Sequence, residues 1–100
     1  MSGRTEYLVQ LILNGRKLKR VIIDPHYREK HSKAMSDDLI LELVKTLDGR
    51  RFDPVSWQGE FEFFKIQPVL WKGKPYRLIL TLCQSDDFLG VINAFRVEDV

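Results

Sequence analysis

The sequence predicts a single α+β domain of 100 residues. Three observations indicate this class. An alternating N-terminal segment runs into Asn14-Gly15, one apolar stripe of helical period follows Ser36, and three strand-like segments separated by short turns fill the last third of the chain. We therefore expect an N-terminal β-hairpin, one or two helices, and a C-terminal antiparallel three-stranded meander packed on the main helix.

The hairpin is predicted from the alternation in residues 6–13 and from the return of apolar residues in 18–23. Asn-Gly between two such segments is typical of a two-residue hairpin turn. Asp24-Pro25 then resembles a helix N-cap followed by proline at the first helical position, which predicts a short helix over residues 26–31.

The main helix is predicted to begin at the cap Ser36 and to end at Gly49. Met35 and Ile40 fit a hydrophobic staple across its first turn. Asp37 and Asp38 suit the positive end of the helix dipole, which makes their expected role structural. The buried stripe is predicted to consist of Leu39, Ile40, Leu43, Val44 and Leu47.

Residues 50–59 are predicted to form a loop, and strands are expected at about 60–70, 75–83 and 88–97. Phe63-Phe64 and Pro68 interrupt the alternation of the first of these strands, which suggests a bulge or an edge position. If the last hairpin closes at Ser85-Asp86, Cys83 pairs with Phe88. Arg77 and Arg96 are then diagonal neighbours on one face, opposite an apolar face that includes Tyr76, Asn93 and Phe95.

Composition limits the classes of protein that fit. The single Cys83 allows no internal disulfide, and no apolar segment approaches the roughly 20 residues needed to span a bilayer. We therefore expect a cytoplasmic protein without a membrane partner. The net charge of +2 is small, but residues 1–36 carry 8 basic and 3 acidic groups, so the charge is polarised along the chain.

Arg77 and Arg96 are candidate phosphate ligands, because a guanidinium binds two oxygens at once and stays charged. The simpler interpretation is that they are solvated or paired strand residues. If residues 26–33 are helical, His26, Lys30 and Lys33 lie on one stripe that would attract a phosphodiester. The helix dipole would keep His26 neutral, as a general base must be, and would favour the cation at His31. Both histidines also fit a polar surface helix.

Other chemistries lack support in the sequence. No cluster of His, Cys and carboxylates has metal-ligand spacing, so neither a metal site nor a cofactor is predicted. Cys83 has no base predicted beside it, and the sequence contains no phosphate-binding glycine loop, nucleophile elbow or HExxH motif.

A helical segment that bears histidine and arginine is followed by a helix and then by a meander. The meander contains Tyr76-Arg77-Leu78-Ile79 and ends in Val91-Ile92-Asn93-Ala94-Phe95-Arg96. This layout resembles the small RelE-like toxin nucleases. These belong to the superfamily that includes barnase, EndoU and the colicin-type ribonucleases. The resemblance covers roughly residues 24–97, although the N-terminal hairpin departs from the usual layout.

The resemblance implies metal-independent cleavage of RNA by attack of the ribose 2′-hydroxyl on the adjacent phosphate. His26 would be the base and His31 or Tyr76 the acid, while Arg77, Arg96, Lys30 and Lys33 would hold the phosphates. An inhibitory protein partner would accompany such a toxin.

The alternative is a non-catalytic RNA- or protein-binding module, accessory or antitoxin-like. It would use the basic ribbon Arg16, Lys17, Lys19 and Arg20 with exposed aromatics such as Trp57, Trp71 or Tyr76, or an open strand edge. Binding by such a module would be indifferent to the histidines. The oligomeric state is left open.

Overall fold

Six strands form one mixed β-sheet in the computed structural model, which describes residues 3–97. Two short α-helices lie between the second and third strands, so the predicted α+β class is confirmed. The strands are β1 (Thr5–Leu13), β2 (Arg16–Ile23), β3 (Ser56–Gln58), β4 (Phe61–Trp71), β5 (Lys74–Cys83) and β6 (Phe88–Arg96). The helices are α1 (Arg28–His31), which follows a 3-10 turn over Pro25–Tyr27, and α2 (Asp37–Lys45).

The strand order is β1-β2-β6-β5-β4-β3. Every neighbouring pair is antiparallel except β2 and β6, which run parallel through Arg20 to Ile23 and Phe88 to Val91. The N-terminal hairpin is therefore part of the same sheet as the C-terminal strands. The crossover that returns the chain from β2 to the far side of the sheet carries both helices, as a parallel pair requires.

The N-terminal hairpin forms as predicted, with Asn14 and Gly15 at φ 54° and 74°. Both values lie in the left-handed region that a two-residue type I′ turn requires, and asparagine and glycine tolerate it best. The predicted loop over 50–59 is partly wrong, because Ser56–Gln58 pairs with Phe61–Phe63 as the outer strand β3.

Helix α2 begins as its sequence indicates, with the Ser36 hydroxyl accepting a hydrogen bond from the amide of Leu39 at 3.2 Å. It ends at Lys45, four residues before Gly49, and turns fill the interval. The short helix predicted for 26–31 is wrong in detail: His26 lies in the 3-10 turn, and α1 is a single turn that starts at Arg28. Among residues 3–97, no helix is long and apolar enough to cross a membrane.

The core lies between α2 and one face of the sheet. Ile40, Leu43, Val44 and Leu47 of the predicted stripe are all buried, and Leu39 is half-buried against them. The sheet contributes the buried side chains Leu11, Leu13, Leu18, Val21, Ile23, Phe64, Ile66, Val69, Tyr76, Leu78, Leu80, Leu82, Leu89, Val91 and Ala94. A chain of this size depends on such a contiguous apolar cluster for its stability.

A β-bulge in β6 overturns part of the predicted register. Leu80 pairs with Val91 as expected, but Ile79 pairs with Asn93, so Ile92 is the extra residue. Strict alternation would have turned the Asn93 amide into the core. The bulge places Ala94 there instead, and the Asn93 side chain accepts a hydrogen bond from the amide of Ala94 at 2.9 Å. Avoiding a buried polar side chain is the physical reason for the bulge.

The interruption of β4 also has a structural counterpart. Ile66 pairs with Leu78 and Val69 with Tyr76, so β4 gains one residue over β5 at Gln67-Pro68. The proline, which lacks an amide hydrogen, thus occupies the irregular position that its chemistry favours.

Candidate active site on the open face of the sheet

The side of the sheet that faces away from α2 is called the open face here. Its residues alternate in β4, β5 and β6 with the buried core residues, and directly paired residues share a face. The open face therefore includes Phe61, Phe63 and Lys65 of β4, Arg77, Ile79, Thr81 and Cys83 of β5, and Phe88, Gly90, Asn93 and Phe95 of β6.

The bulge in β6 changes which charged residues meet on this face. Phe95, predicted to be in the core, lies opposite Arg77, whereas Arg96 lies opposite Tyr76 on the other face. The predicted diagonal pair of Arg77 and Arg96 is therefore wrong. Arg96 is exposed, and it cannot share a phosphate with Arg77 through the sheet.

Phe95 lies against both His31 and Arg77. The His31 ring stacks on the Phe95 ring with centroids 4.9 Å apart and an interplanar angle of 23°. The Arg77 guanidinium carbon lies 5.2 Å from the centroid of the same ring, within range of a cation–π contact. Arg77 also donates from Nε to the Gln67 side-chain oxygen. The sequence predicts His31 and Arg77 as separate candidates. In the structure, the imidazole and the guanidinium both contact the Phe95 ring.

The remaining predicted site residues of this segment are exposed. The His26 ring nitrogen Nδ1 lies 3.2 Å from a carboxylate oxygen of Glu29, so the carboxylate can orient the imidazole. Lys30 lies in α1 and Lys33 in the turn after it, both exposed. Because His26 and Lys33 fall outside α1, the predicted single helical stripe is not formed. With only one turn, α1 also offers little dipole to act on His26.

Tyr76 is corrected as well. Its side chain is buried in the core, paired in register with Val69 and Arg96. The predicted register correctly places Tyr76 on the apolar face. Its use as an exposed aromatic by the binding module is wrong, and its hydroxyl is not on the open face. Trp71 is half-buried against the core, whereas Trp57 is exposed on β3.

A polar cluster holds α1 in place. The Asp37 carboxylate accepts hydrogen bonds from the Tyr7 hydroxyl at 2.7 Å, from the Tyr27 hydroxyl and from the Arg28 guanidinium at 3.1 Å. These contacts join β1, the 3-10 turn and α1 to the first turn of α2. The predicted structural role of Asp37 is thus the one that its contacts support.

The ionisation of this cluster follows from its contacts. Burial of Asp37 opposes its charge, but the hydrogen bonds from the two tyrosines and the charge of Arg28 outweigh that effect and lower the pKa of its carboxyl. The hydrogen bond to Asp37 raises the pKa of Tyr7, and burial together with the same carboxylate raises the pKa of Tyr27. The cluster therefore keeps one negative and one positive charge over a wide pH range.

The basic ribbon of the alternative hypothesis is half neutralised. Arg20 contacts the carboxylates of Glu6 at 3.1 Å, Asp86 at 2.8 Å and Asp87 at 3.2 Å. Arg16 pairs with Glu62 at 3.2 Å. Both arginines thus join elements of the fold, and Lys17 and Lys19 are the ribbon cations left on the exposed surface.

Sequence reasoning missed Phe95, Lys65 and Gln67 as members of this site. The bulge carries neither glycine nor proline, so only Asn93, a residue whose side chain bonds readily to nearby backbone, hints at an irregular strand there. Within residues 3–97, no three His, Cys, Asp or Glu side chains are grouped as a metal site would require.

No protein-family model matches the chain, and neither the curated proteins nor the solved structures contain a significant match to it.

Proposed function

We propose that this chain is a cytoplasmic, metal-independent endoribonuclease of the RelE-like toxin kind. The observation that carries the proposal is the stack in which Phe95 lies against both the His31 imidazole and the Arg77 guanidinium. A group that can exchange a proton near neutral pH and a permanent cation are the two components that phosphodiester cleavage needs close together. The resemblance of residues 24–97 to RelE-like nucleases supports the same reaction.

In the proposed reaction His26, oriented by Glu29, takes the proton from the ribose 2′-hydroxyl. The 2′-oxygen then forms a bond to the adjacent phosphorus, and the bond from phosphorus to the 5′-oxygen breaks. His31 donates a proton to that leaving oxygen. Arg77 balances the charge that develops on the phosphoryl oxygens. Lys30 and Lys33, which lie close to His31 in sequence on the exposed segment, add to this positive charge. Arg96 and Tyr76 have no part in it, because neither side chain lies on the open face.

The decisive experiment incubates purified protein with single-stranded and structured RNA in the presence of a chelator. We expect cleavage products that end in a 2′,3′-cyclic phosphate. His26→Gln and His31→Gln should each lower the rate by roughly 10²–10⁴-fold, because glutamine keeps polarity but cannot exchange a proton near neutral pH. Lys45→Gln, on the exposed end of α2, is the matched control and should cleave as the wild type does.

Activity that requires a divalent cation, or products without a cyclic phosphate, would contradict the proposed 2′-hydroxyl attack. Loss of activity in only one histidine variant would assign both proton transfers to that residue.

A second candidate, a protein-binding module, is favoured by the outer strand β1. Leu8 is 85% exposed there, Ile12 is 42% exposed, and the exposed Lys17 and Lys19 lie on the neighbouring strand. Unpaired strand edges bind extended peptides, and this one would suit a partner strand that alternates apolar and acidic residues. The same surface would suit the inhibitor of a toxin.

Hydrogen exchange tests this candidate with a synthetic peptide of that pattern. Binding should slow exchange of outward-facing amides in residues 5–10, and Leu8→Lys should abolish the effect. His26→Gln should leave it unchanged.

A further inference from the structure

A cleft of about 470 Å³ opens on the open face, between residues of β2, β4, β5 and β6. Its walls are three phenylalanine rings and the aliphatic side chains of β2 and β6, and one rim carries the ion pair of Arg4 with Asp24 at 3.4 Å. The lining residues are Arg4, Ile22, Asp24, Phe61, Phe63, Thr81, Phe88, Gly90, Val91 and Ile92.

Gly90 shapes the floor of this cleft. A Cβ atom added there would come within 2.7 Å of Thr81 Cγ2 and 3.6 Å of Phe88 Cε2. The bare backbone therefore lets the Thr81 methyl group and the Phe88 ring close over β6. Thr81 itself is fixed, because its hydroxyl donates to the Glu62 carbonyl at 3.0 Å. The floor is therefore closely packed and apolar, and the aromatic walls of the cleft come from two strands, β4 and β6.

Open-face positions on two strands lead from the cleft toward the proposed catalytic residues. Along β4, open-face positions pass from Phe61 and Phe63 in the cleft to the exposed Lys65, and then to Gln67, which contacts Arg77. Along β6, Phe95 follows the cleft residue Ile92 by three residues, ~10 Å of strand. Lys65 thus lies along the open face between the aromatic cleft and Arg77, which contacts the same Phe95 ring as His31.

We propose that this cleft holds an unstacked nucleobase of the RNA substrate, one or more nucleotides from the phosphate that is cleaved. This inference rests on the proposed function, since it takes RNA as the substrate. Sheets that bind single-stranded RNA stack bases on exposed aromatic rings, and cations beside the rings hold the backbone. Phe63 and Phe88 supply the rings, while Lys65 supplies the cation that bridges from the cleft to Arg77.

Binding must be measured apart from cleavage to test this. Fluorescence anisotropy measures binding of a short 2′-O-methyl RNA. This RNA is not cleaved, because its 2′-oxygen is methylated and cannot act as the nucleophile. The same oligomer with its bases removed keeps every phosphate. We expect wild-type protein to bind the abasic oligomer on the order of tenfold more weakly for each stacked base lost. Equal affinity for the two oligomers would overturn the base-binding cleft.

Variants that each lack one aromatic ring test whether the base binds in the cleft. Phe63→Leu and Phe88→Leu remove a ring but keep an apolar side chain, and each should weaken binding of the intact oligomer roughly tenfold without weakening that of the abasic one. Phe52→Leu removes a ring outside the cleft, where Phe52 lies under the Arg50 guanidinium, and should bind as the wild type does. Unchanged binding in both cleft variants, as expected if a protein side chain fills the cleft instead, would also overturn the proposal.

Different outcomes contradict the nuclease activity and the base-binding cleft. Base-dependent binding without cleavage of unmodified RNA would remove the nuclease and keep the cleft, whereas cleavage with no difference between intact and abasic oligomers would remove the cleft alone. If either cleft variant does not fold, Phe61→Leu replaces it, because Phe61 is 41% exposed at the cleft edge.

Discussion

Phe95 is the residue on which the proposed site depends most. A cation–π contact and an aromatic stack are each worth only about 0.5–1.5 kcal/mol, yet together they fix two functional groups relative to each other. Small errors of position are expensive in catalysis, where a misplacement of about 1 Å can reduce the rate on the order of 10²-fold.

Phe95→Leu should therefore lower the rate of RNA cleavage by roughly 10²-fold while changing the free energy of unfolding by only about 1–2 kcal/mol. Phe52→Leu is the matched control, because Phe52 lies under Arg50 at 4.9 Å, another cation–π contact, and is no part of the site. Single-turnover kinetics and urea denaturation provide the two measurements. Equal rates for the two variants would show that Phe95 does not position the catalytic groups.

The two arginines of the last hairpin should now behave differently. Arg77→Ala should weaken RNA binding and reduce the slope of log affinity against log salt by about one, the value for one lost phosphate contact. Arg96→Ala should leave that slope unchanged, because Arg96 is on the other face of the sheet. Salt titrations of both variants measure these slopes. Equal slopes for Arg77→Ala and Arg96→Ala would mean that the two arginines play the same part in RNA binding.

At the scale of the elements, α2 shows what local sequence can predict. Ser36, Met35 and the apolar stripe are signals within a few residues of each other, and the structure contains the cap and the buried stripe that they predict. The parallel pairing of β2 with β6 joins segments about 70 residues apart, a distance that turn and periodicity rules do not reach. The bulge at Ile92 lies between strands that are close in sequence, but it carries neither glycine nor proline, so strict alternation predicts the wrong charged face.

Helix α2 gives a direct comparison of cap and core. Leu43→Ala should lower the free energy of unfolding by about 2–5 kcal/mol, because Leu43 is fully buried. Ser36→Ala should lower it by only about 1 kcal/mol. Chemical denaturation measures both, and a Leu43 variant as stable as the wild type would mean that this face of α2 is not packed as described.

The cluster around Asp37 links α1 to the rest of the fold. Asp37→Asn removes the charge that accepts from Arg28 and the two tyrosines, so it should cost about 1.5–3 kcal/mol of stability near neutral pH. Lys45→Gln again serves as the surface control. If Asp37→Asn were as stable as this control, the cluster would not anchor α1.

The sign of the pH effect follows from the lowered pKa of Asp37. A carboxyl that is more acidic in the folded state stabilises it above its unfolded pKa of about 3.9. That stabilisation is lost as the pH falls through the lower folded pKa. The free energy of unfolding of the wild type should therefore fall more steeply below about pH 4 than that of Asp37→Asn, as urea denaturation across this range would show.

At the scale of the whole molecule, the parallel pair of β2 and β6 joins the hairpin to the other strands. Ile23 is buried and pairs with Val91, so Ile23→Ala should destabilise the entire sheet by about 2–5 kcal/mol. Fluorescence of Trp57 and Trp71, which lie on β3 and β4, should shift to a lower denaturant midpoint together with far-UV circular dichroism. Separate transitions would show that the hairpin unfolds independently.

The bulge in β6 also decides how this strand tolerates changes of length. A one-residue deletion in a strand ordinarily sends every following side chain to the opposite face. Removing Ile92 is the exception, because Val91 would then be followed directly by Asn93, and both already pair with consecutive residues of β5, Leu80 and Ile79. In β6, position 92 is thus where the chain can become shorter while Phe95 stays beside Arg77.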